Sequence, residues 1–309
     1  MRTFIACMSL ILVMASIGCS RELRPGGDAP QRPFNFSHIP EGGEQAPITD
    51  GTQQSGVAPD VPDGETNPDG TPIEAVDPAL EALISEGRNA MTGGDWEKAI
   101  EIYLEVVARD ENNMIGLYNL GYSYRRSGNY DKAVEYSARA AQADPDKLYV
   151  HQNLGYAYLG IGDTESAMAE FEDELDRHPD VADLAGVAYQ LAKLKLDNGL
   201  GEEAFDAAMH AVRLAPDEPD YEALLGEVHM ANGAYDQALT SFRRASELGP
   251  DDGLYRKLAG DALWELGRKD EARNSYMDAI NLDASLRDQI PAERLADDSE
   301  TEESADSPM

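Results

Sequence analysis

Cysteine is scarce in this sequence. Cys7 and Cys19 are the only two among 309 residues, and both lie close to the N-terminus. Two such residues cannot form the disulfide framework of a small cysteine-rich domain, and they cannot supply the ligands of a cysteine-based zinc site. The sequence therefore excludes both kinds of cysteine-stabilised domain.

Basic residues are also scarce. Lys and Arg total 25 against 59 Asp and Glu, so the formal net charge is −34 at neutral pH. A surface of this sign repels the phosphate backbone of nucleic acids. We therefore expect no nucleic-acid partner.

Motifs for catalysis or metal binding are missing. The histidines are His38, His151, His178, His210 and His229. No two of them share a predicted helix at the spacing of metal ligands, and no H-E-x-x-H motif occurs. The sequence also contains no G-x-S-x-G motif and no catalytic Cys/His arrangement. It therefore predicts no enzyme, no metal site, no cofactor and no small-molecule substrate.

The N-terminus contains an apolar run at residues 4–17, which follows Arg2 and ends just before Gly18 and Cys19. Fourteen residues are too few to span a bilayer comfortably, and this length is typical of the hydrophobic region of a signal peptide. Residues 1–18 are therefore predicted to be a signal peptide, with Cys19 as the first residue of the mature chain.

The segment around this cleavage site resembles the signal of bacterial lipoproteins, in which a cysteine that follows small residues is acylated. The resemblance implies lipidation of Cys19. Because Ser20 rather than Asp follows it, the resemblance also implies an outer-membrane lipoprotein that faces the periplasm. Ser16 stands where that family prefers Leu, and Ser16 with Gly18 also fits the small-x-small rule of ordinary secretion. Both routes export the protein, so the cell envelope is the expected location.

Residues 19–76 have the composition of a linker. They are rich in Pro, Gly, Asp, Glu and Gln, and the aromatic pair Phe34 and Phe36 is isolated. Such a segment cannot bury enough apolar surface to offset its ordering entropy. We predict a disordered acidic tether here. The folded domain is predicted to begin with Asp77 as a helix N-cap and Pro78 at the first helical position.

A pattern of about 34 residues then recurs six times. Each unit has a glycine that ends a first helix, because glycine tolerates the positive φ needed there. Each also has an alanine early in a second helix, where a small side chain lets the paired helix approach closely. The glycines are Gly94, Gly128, Gly162, Gly199, Gly233 and Gly267. The alanines are Ala99, Ala133, Ala167, Ala204, Ala238 and Ala272.

Each first helix also has a small residue near its centre. These residues are Gly87, Gly121, Gly155, Ala192, Gly226 and Gly260. Glycine inside a helix costs about 1 kcal/mol relative to alanine, so we expect a neighbouring helix to need the space. The large residues predicted to fill it from the second helix are Tyr103, Phe171, Phe242 and Tyr276.

The unit at 114–147 resembles the tetratricopeptide repeat, because it has Leu120 and Gly121 in the first helix, Ala133 and Ala140 in the second, and Pro145 at its end. The resemblance implies an all-α fold: a right-handed α-solenoid of six helix-turn-helix units at 77–286, preceded by the disordered linker. The six units are 80–113, 114–147, 148–181, 185–218, 219–252 and 253–286. Residues 287–309 are predicted to form a short cap at Pro291–Leu295 and a disordered acidic tail.

The fourth unit departs most from the pattern. Ala192 replaces the central glycine, Ala208 replaces the large residue, and three extra residues at 182–184 precede the unit. Glu174, in the third unit, stands where a small apolar residue is expected. We predict a local irregularity here that divides the array into two blocks of three units.

Peptide ligands of the resembled family lie in a groove lined by the first helices, and the family's groove positions can be transferred to this chain. Tyrosines and cations are common among them, and Tyr and Arg are frequent interface hot spots. The resemblance implies that Asn119 and Asn153 bond the backbone of a ligand. The candidate peptide-binding residues are Arg88, Tyr118, Asn119, Tyr122, Arg125, Arg126, Tyr149, Gln152, Asn153, Tyr156, Tyr189 and Lys193. The later units differ, with Glu227, Met230, Lys257, Asp261 and Trp264 at such positions.

The groove cations lie on an acidic background, so the expected partner is a protein or peptide with acidic side chains or a free C-terminal carboxylate. The alternative is that the tyrosines only pack the helices. The Lys–Asn clamp of chaperone-binding relatives is not supported, because Ile84 and Arg88 occupy its places in the first unit. The predicted function is an exported, lipid-anchored adaptor. An assembly factor for pilus or outer-membrane components, and a regulatory subunit of an envelope enzyme, remain alternatives.

Overall fold

The structure is a computed structural model that describes residues 77–296. The predicted signal peptide, Cys19, the tether with Phe34 and Phe36, and the acidic tail from residue 297 onward lie outside the described residues. Every regular element within 77–296 is a helix. In this part of the chain none of the helices is both long and apolar enough to cross a membrane.

Twelve of the helices form six consecutive pairs, which confirms the predicted all-α solenoid of six helix-turn-helix units. Their bounds are α1 Pro78–Thr92 with α2 Trp96–Arg109, α3 Met114–Arg126 with α4 Tyr130–Ala143, α5 Val150–Ile161 with α6 Thr164–Arg177, α7 Ala185–Asp197 with α8 Gly201–Leu214, α9 Pro219–Ala231 with α10 Tyr235–Leu248, and α11 Gly253–Glu265 with α12 Lys269–Leu282. The first of these helices begins as predicted, since Asp77 accepts a hydrogen bond from the Ala79 N–H and Pro78 is the first helical residue.

The turn inside each pair uses the predicted glycine. All six of these glycines have positive φ, between 71° and 82°. A side chain in this left-handed region is strained, so glycine is the residue that ends the first helix at little cost. The second helix then starts immediately, and in the first three units Asp95, Asn129 and Asp163 cap it by accepting a backbone N–H bond.

Four of the five central glycines of the first helices face large rings on the second helices, and Gly121 faces Ser137 instead. A Cβ at Gly155 would lie 2.5 Å from the Phe171 ring, and one at Gly226 would lie 2.5 Å from the Phe242 ring. Both rings are completely buried. The predicted reason for glycine at these positions is therefore confirmed, because any side chain there would overlap an aromatic ring.

The fourth unit solves the same packing problem with two alanines. Ala192 on α7 and Ala208 on α8 are both completely buried. Ala192 is larger than the glycine found in the other units, and Ala208 is much smaller than the large residue usually found opposite it. The two changes in side-chain volume therefore compensate each other. The unit that deviates most in sequence is consequently a regular helix pair in the structure.

The irregularity predicted before the fourth unit is present. A 3₁₀ helix at Ala182–Leu184 precedes α7, and the contact between α6 and α7 is sparser than that between other consecutive pairs. The weaker contact agrees with the predicted division into two blocks, but the hydrophobic core is not divided there. One hydrophobic cluster runs without interruption from Phe171 in the third unit through Leu191 in the fourth to Leu225 in the fifth. The 3₁₀ helix keeps this core continuous because its Leu184 is completely buried within it.

Glu174 has a role that the repeat pattern does not predict. Its side chain is completely buried, and its carboxylate accepts hydrogen bonds from the backbone N–H groups of Tyr149 at 2.6 Å, His151 at 3.0 Å and Gln152 at 3.0 Å. The first turn of α5 has no side-chain cap of its own. Glu174 on α6 therefore caps α5 from the neighbouring helix, where a negative charge also interacts favourably with the helix dipole.

The C-terminal end of the array is closed by a short segment. A 3₁₀ helix at Ala284–Gln289 is followed by α13, Ala292–Leu295, which confirms the predicted cap. Leu286 and Ile290 are buried, and Ile290 joins the core of the last two units. The segment covers apolar surface that a seventh repeat would otherwise cover.

Candidate functional site

The first helices lie side by side within the first three units and within the last three units. Contacts join α1 to α3, α3 to α5, α7 to α9 and α9 to α11. We call the surface made by α1, α3, α5, α7, α9 and α11 the first-helix face. The predicted peptide-binding residues belong to this face or to its edges, so it is the candidate site.

Five residues of the first three units form one arginine–aromatic cluster: Trp96, Tyr122, Arg125, Arg126 and Tyr156. The Arg125 guanidinium lies 4.9 Å from the centre of the Tyr122 ring and 5.4 Å from that of Tyr156. The Arg126 guanidinium lies 4.8 Å from the centre of the Trp96 ring. Each such cation–π contact contributes about 0.5–1 kcal/mol at an exposed site and more where water is excluded.

Hydrogen bonds hold the two guanidinium groups in place. Arg125 Nε donates to Asn153 Oδ1 at 3.1 Å, and Asn153 Nδ2 donates to Ser137 Oγ at 2.9 Å. Arg126 donates to the Tyr122 hydroxyl at 3.3 Å. Asn153 thus positions Arg125 from the next unit instead of facing a ligand directly. Aromatic rings thus lie against both guanidinium groups, and a guanidinium bonds carboxylates through the N–H groups along its edge.

Several predicted groove residues are buried, which corrects the prediction that they contact a ligand directly. Tyr118 is only 2% exposed and belongs to the hydrophobic core of the first units, so it is a packing residue. Burial strongly raises the pKa of its hydroxyl. Gln152 and Asn153 are also buried, and Tyr122 is accessible over only 7% of its surface. Neighbouring side chains cover these residues, which a helical position alone does not reveal.

Asn119 is completely buried, and neither atom of its side-chain amide has a hydrogen-bond partner among the described residues. The Tyr103 hydroxyl lies near this amide but forms no hydrogen bond with it. The hydroxyl donates instead to the Ile84 carbonyl oxygen at 3.4 Å. An unpaired buried amide is costly. A ligand backbone reaches Asn119 only if the side chains above it move.

Tyr149 is not on the face of a helix. It occupies the N-cap position of α5 with φ of 76°, and it is the one non-glycine residue with positive φ in the described chain. Its hydroxyl donates to Asp183 Oδ2 at 3.1 Å, and burial raises its pKa to about 12. Tyr149 therefore connects the third unit to the 3₁₀ helix before the fourth.

The remaining predicted residues lie on either side of the cluster. Arg88 is half-buried, and its Nε atom has no hydrogen-bond partner within residues 77–296. Tyr189 packs against Tyr221 with ring centres 5.1 Å apart, and burial raises its pKa to about 12. Lys193 is half-buried and acts electrostatically on Glu227. The predicted set is thus one cluster with separate flanking residues.

Trp96 is the residue of the cluster that the sequence reasoning missed. The family's groove positions lie on the first helices, whereas Trp96 is the first residue of the second helix α2. Its ring centre lies 6.1 Å from that of Tyr122 and covers Arg126. A tryptophan at a helix start, between the charged residues Asp95 and Glu97, was the available signal.

The last two units carry acidic groups on the first-helix face. Asp261 Oδ1 accepts hydrogen bonds from Arg294 of α13 at 2.7 Å and from the Tyr276 hydroxyl at 2.9 Å, while Asp261 Oδ2 pairs with Lys257 at 3.0 Å. The Arg294 guanidinium also lies 5.3 Å from the centre of the Trp264 ring. The chain's own arginine therefore occupies the face of the sixth unit.

The fold defines a class: a solenoid of helical repeats whose first helices lie together on one face. One tetratricopeptide repeat model matches residues 84–147, 189–252 and 223–285, and a second tetratricopeptide repeat model matches residues 124–187. The chain belongs to the tetratricopeptide repeat family. Proteins of this family are protein-interaction scaffolds and are typically not enzymes.

Solved structures of other repeat proteins share the fold. YrrB, described as a TPR protein with an unusual peptide-binding site, is 18% identical, with a TM-score of 0.55 over 60% of this chain and 94% of its own. A TPR repeat-containing protein from Cytophaga hutchinsonii is 17% identical, with a TM-score of 0.57 over 65% of this chain and 80% of its own. MamA from Desulfovibrio magneticus RS-1 is 19% identical, with a TM-score of 0.50 over 56% and 97%. No curated protein matches the sequence.

Proposed function

We propose that this protein is an exported, lipid-anchored adaptor that binds a carboxylate-bearing segment of a partner protein on its first-helix face. The observation that carries the proposal is the arginine–aromatic cluster. Arg125 and Arg126 are held by aromatic rings and hydrogen bonds before any ligand arrives. Pre-organised side chains lose less entropy on binding, so they contribute more of their interaction energy to affinity.

The chemistry of the cluster favours carboxylates. A guanidinium presents several N–H donors in one plane, which matches the two oxygens of a carboxylate. The rest of the protein is strongly acidic, with a net charge of −34. An acidic segment is therefore repelled by most of the surface and attracted at this cluster, which favours docking there over non-specific binding.

We expect charge reversal of the cluster to abolish partner binding. Glutamate at both positions, Arg125→Glu with Arg126→Glu, should reduce the yield of cross-linked partner in intact cells at least tenfold, because carboxylates would then face carboxylates. Crosslinking followed by affinity purification and mass spectrometry measures this. Lysine at both positions keeps the charge but loses the planar donors, so its yield should be intermediate.

The chain offers a matched control for this double variant. Arg243 and Arg244 are also adjacent arginines, and they are exposed on the second helix α10. Glutamate at both of these positions changes the net charge equally and should leave the partner yield unchanged. Equal losses from the two double variants would show that only net charge matters, and binding at the cluster would be rejected.

Export and anchoring are supported by the sequence of the N-terminus, where the apolar run at 4–17 precedes Cys19. Three acyl chains on this cysteine, as the lipoprotein resemblance implies, hold a protein firmly at a membrane, because each buried CH₂ contributes about 0.8 kcal/mol. We expect Cys19→Ser to prevent incorporation of labelled palmitate and to move the protein from the membrane fraction to the soluble fraction. Cys7→Ser is the control and should retain both. Unchanged labelling of the Cys19→Ser protein would overturn the anchor.

A further inference from the structure

The first-helix face changes character along the array. The ninth residue of each repeat unit lies on this face, and its chemistry turns from cationic and aromatic in the first four units to acidic in the last two. These residues are Arg88, Tyr122, Tyr156, Lys193, Glu227 and Asp261. A ligand that follows the face therefore meets positive charge at one end and negative charge at the other.

In the sixth unit the acidic position already holds an arginine. Asp261 is paired with Arg294, which also stacks over Trp264 and lies 3.8 Å from Glu265. Trp264 and Glu265 occupy the twelfth and thirteenth positions of the unit, on the same face. The chain itself thus shows how a guanidinium is recognised at the ninth position of a unit.

In the fifth unit the corresponding Glu227 has no such partner. No ion pair or hydrogen bond to its carboxylate occurs within residues 77–296, although its side chain is partly buried. Lys193 acts on it only at longer range, and Lys257 is engaged by Asp261. A carboxylate that is removed from water without a counter-ion is unfavourable, and a cation supplied by a ligand would relieve this.

The surroundings of Glu227 favour a cation. Burial raises the pKa of Glu227, the nearby carboxylates of Asp197 and Asp220 raise it further, and the two lysines oppose them. Met230 is at the twelfth position of the fifth unit, where the sixth unit has Trp264, and it packs half-buried against the core. A methionine there can contact the aliphatic stem of a lysine or arginine whose charged end reaches Glu227.

We infer that the partner segment is bipolar: it carries a carboxylate that binds Arg125 and Arg126 and, three units further along, a lysine or arginine that pairs with Glu227. This inference rests on the proposed function and adds the second half of the ligand. With about 10 Å between neighbouring helices, three units correspond to roughly 30 Å. An extended peptide covers this distance in about nine residues.

The test is a selection of random 16-residue peptides from a display library on the purified full-length protein. The wild-type protein should enrich peptides with an acidic residue and a basic residue about nine positions apart. Glu227→Lys should select peptides that keep the acidic residue and lose the basic one. Arg125→Glu with Arg126→Glu should lose the acidic residue.

The outcomes separate the inference from the proposed function. Acidic enrichment that depends on Arg125 and Arg126, without any basic position, would overturn the bipolar ligand and leave the proposed function standing. Selected peptides with no acidic preference would overturn both. A basic position that persists unchanged in the Glu227→Lys selection would also reject Glu227 as its partner.

A selected peptide then permits a direct measurement by fluorescence anisotropy. Alanine in place of its basic residue should weaken binding to the wild-type protein about tenfold, which corresponds to about 1.4 kcal/mol. The same change should have little effect on binding to Glu227→Gln, because the counter-ion is already missing. Glu222→Gln is the matched control, since Glu222 lies on the same helix but interacts with Arg244 of α10. Equal losses in all three proteins would contradict the pairing.

Discussion

Replacement of Glu174 by alanine is expected to lower the free energy of unfolding by about 3–5 kcal/mol. Its buried carboxylate accepts three backbone hydrogen bonds at the start of α5, and α5 has no cap of its own. Without Glu174 these donors stay in an interior that excludes water, and each unsatisfied donor costs about 1–3 kcal/mol. Chemical denaturation followed by far-ultraviolet circular dichroism measures the loss.

Asp176→Ala is the control for this prediction. Asp176 is on the same helix α6, is exposed and forms no hydrogen bond or ion pair within residues 77–296, so its removal should change stability by no more than about 0.5 kcal/mol. Glu174→Gln keeps the side-chain volume but offers one acceptor oxygen and no charge. Its loss in the free energy of unfolding should therefore lie between those of Glu174→Ala and Asp176→Ala. A Glu174→Ala loss as small as that of Asp176→Ala would show that the three hydrogen bonds contribute little.

Leucine in place of Gly226 should destabilise the protein by about 3 kcal/mol or more, because even a Cβ at this position would lie 2.5 Å from the Phe242 ring. The ring is completely buried and cannot move without displacing the core of α9 and α10. The midpoint of thermal or chemical unfolding measures the effect. Near-normal stability of the leucine variant would mean that the two helices separate easily.

Two further variants sharpen this prediction. Gly186→Ala adds a Cβ whose nearest neighbour is the Tyr221 hydroxyl at 3.8 Å, so it should be neutral or stabilising by up to about 1 kcal/mol. Gly226→Ala combined with Phe242→Ala recreates the alanine pair of the fourth unit. Its destabilisation should be less than the sum of the two single changes, because alanine at 226 fills part of the space that the ring leaves.

The repeat pattern predicted the helix pairs well because its strongest signals are local. A glycine with positive φ ends a helix wherever it stands, and the six turn glycines all do so. The pairing of Gly226 with Phe242 was also predictable, because the two residues recur at fixed positions within one unit. Contacts of this kind depend on the geometry of a single helix pair, which short-range sequence order specifies.

The pattern failed where a contact does not recur from one unit to the next. Glu174 is a misfit within its own unit, and its function appears only when α5 of the same repeat lies beside it without a cap. The continuous core across the third and fourth units was missed for the same reason. Extra residues at 182–184 suggested a break, but their fold into a 3₁₀ helix with buried Leu184 depends on both neighbouring units.

The candidate site shows the same contrast. Arg125, Arg126, Tyr122 and Tyr156 were predicted from helical position, and the structure brings them together. Helical position did not reveal the depth of each side chain, so Tyr118, Asn119 and Gln152 were expected at the surface and are buried. Trp96 was overlooked because its contact with Arg126 crosses from one unit to the next.

The residues of each unit, read alone, were enough to specify the helix pairs, their glycine turns and the family. Only the stacking of units decided which polar side chains are covered, which arginines are held by aromatic rings, and that the Glu227 carboxylate has no partner among residues 77–296. The physical reason is the sequence distance between the interacting residues. Helix formation and helix pairing depend on neighbours within one 34-residue unit. Burial and electrostatic pairing on the first-helix face also depend on side chains contributed by adjacent units.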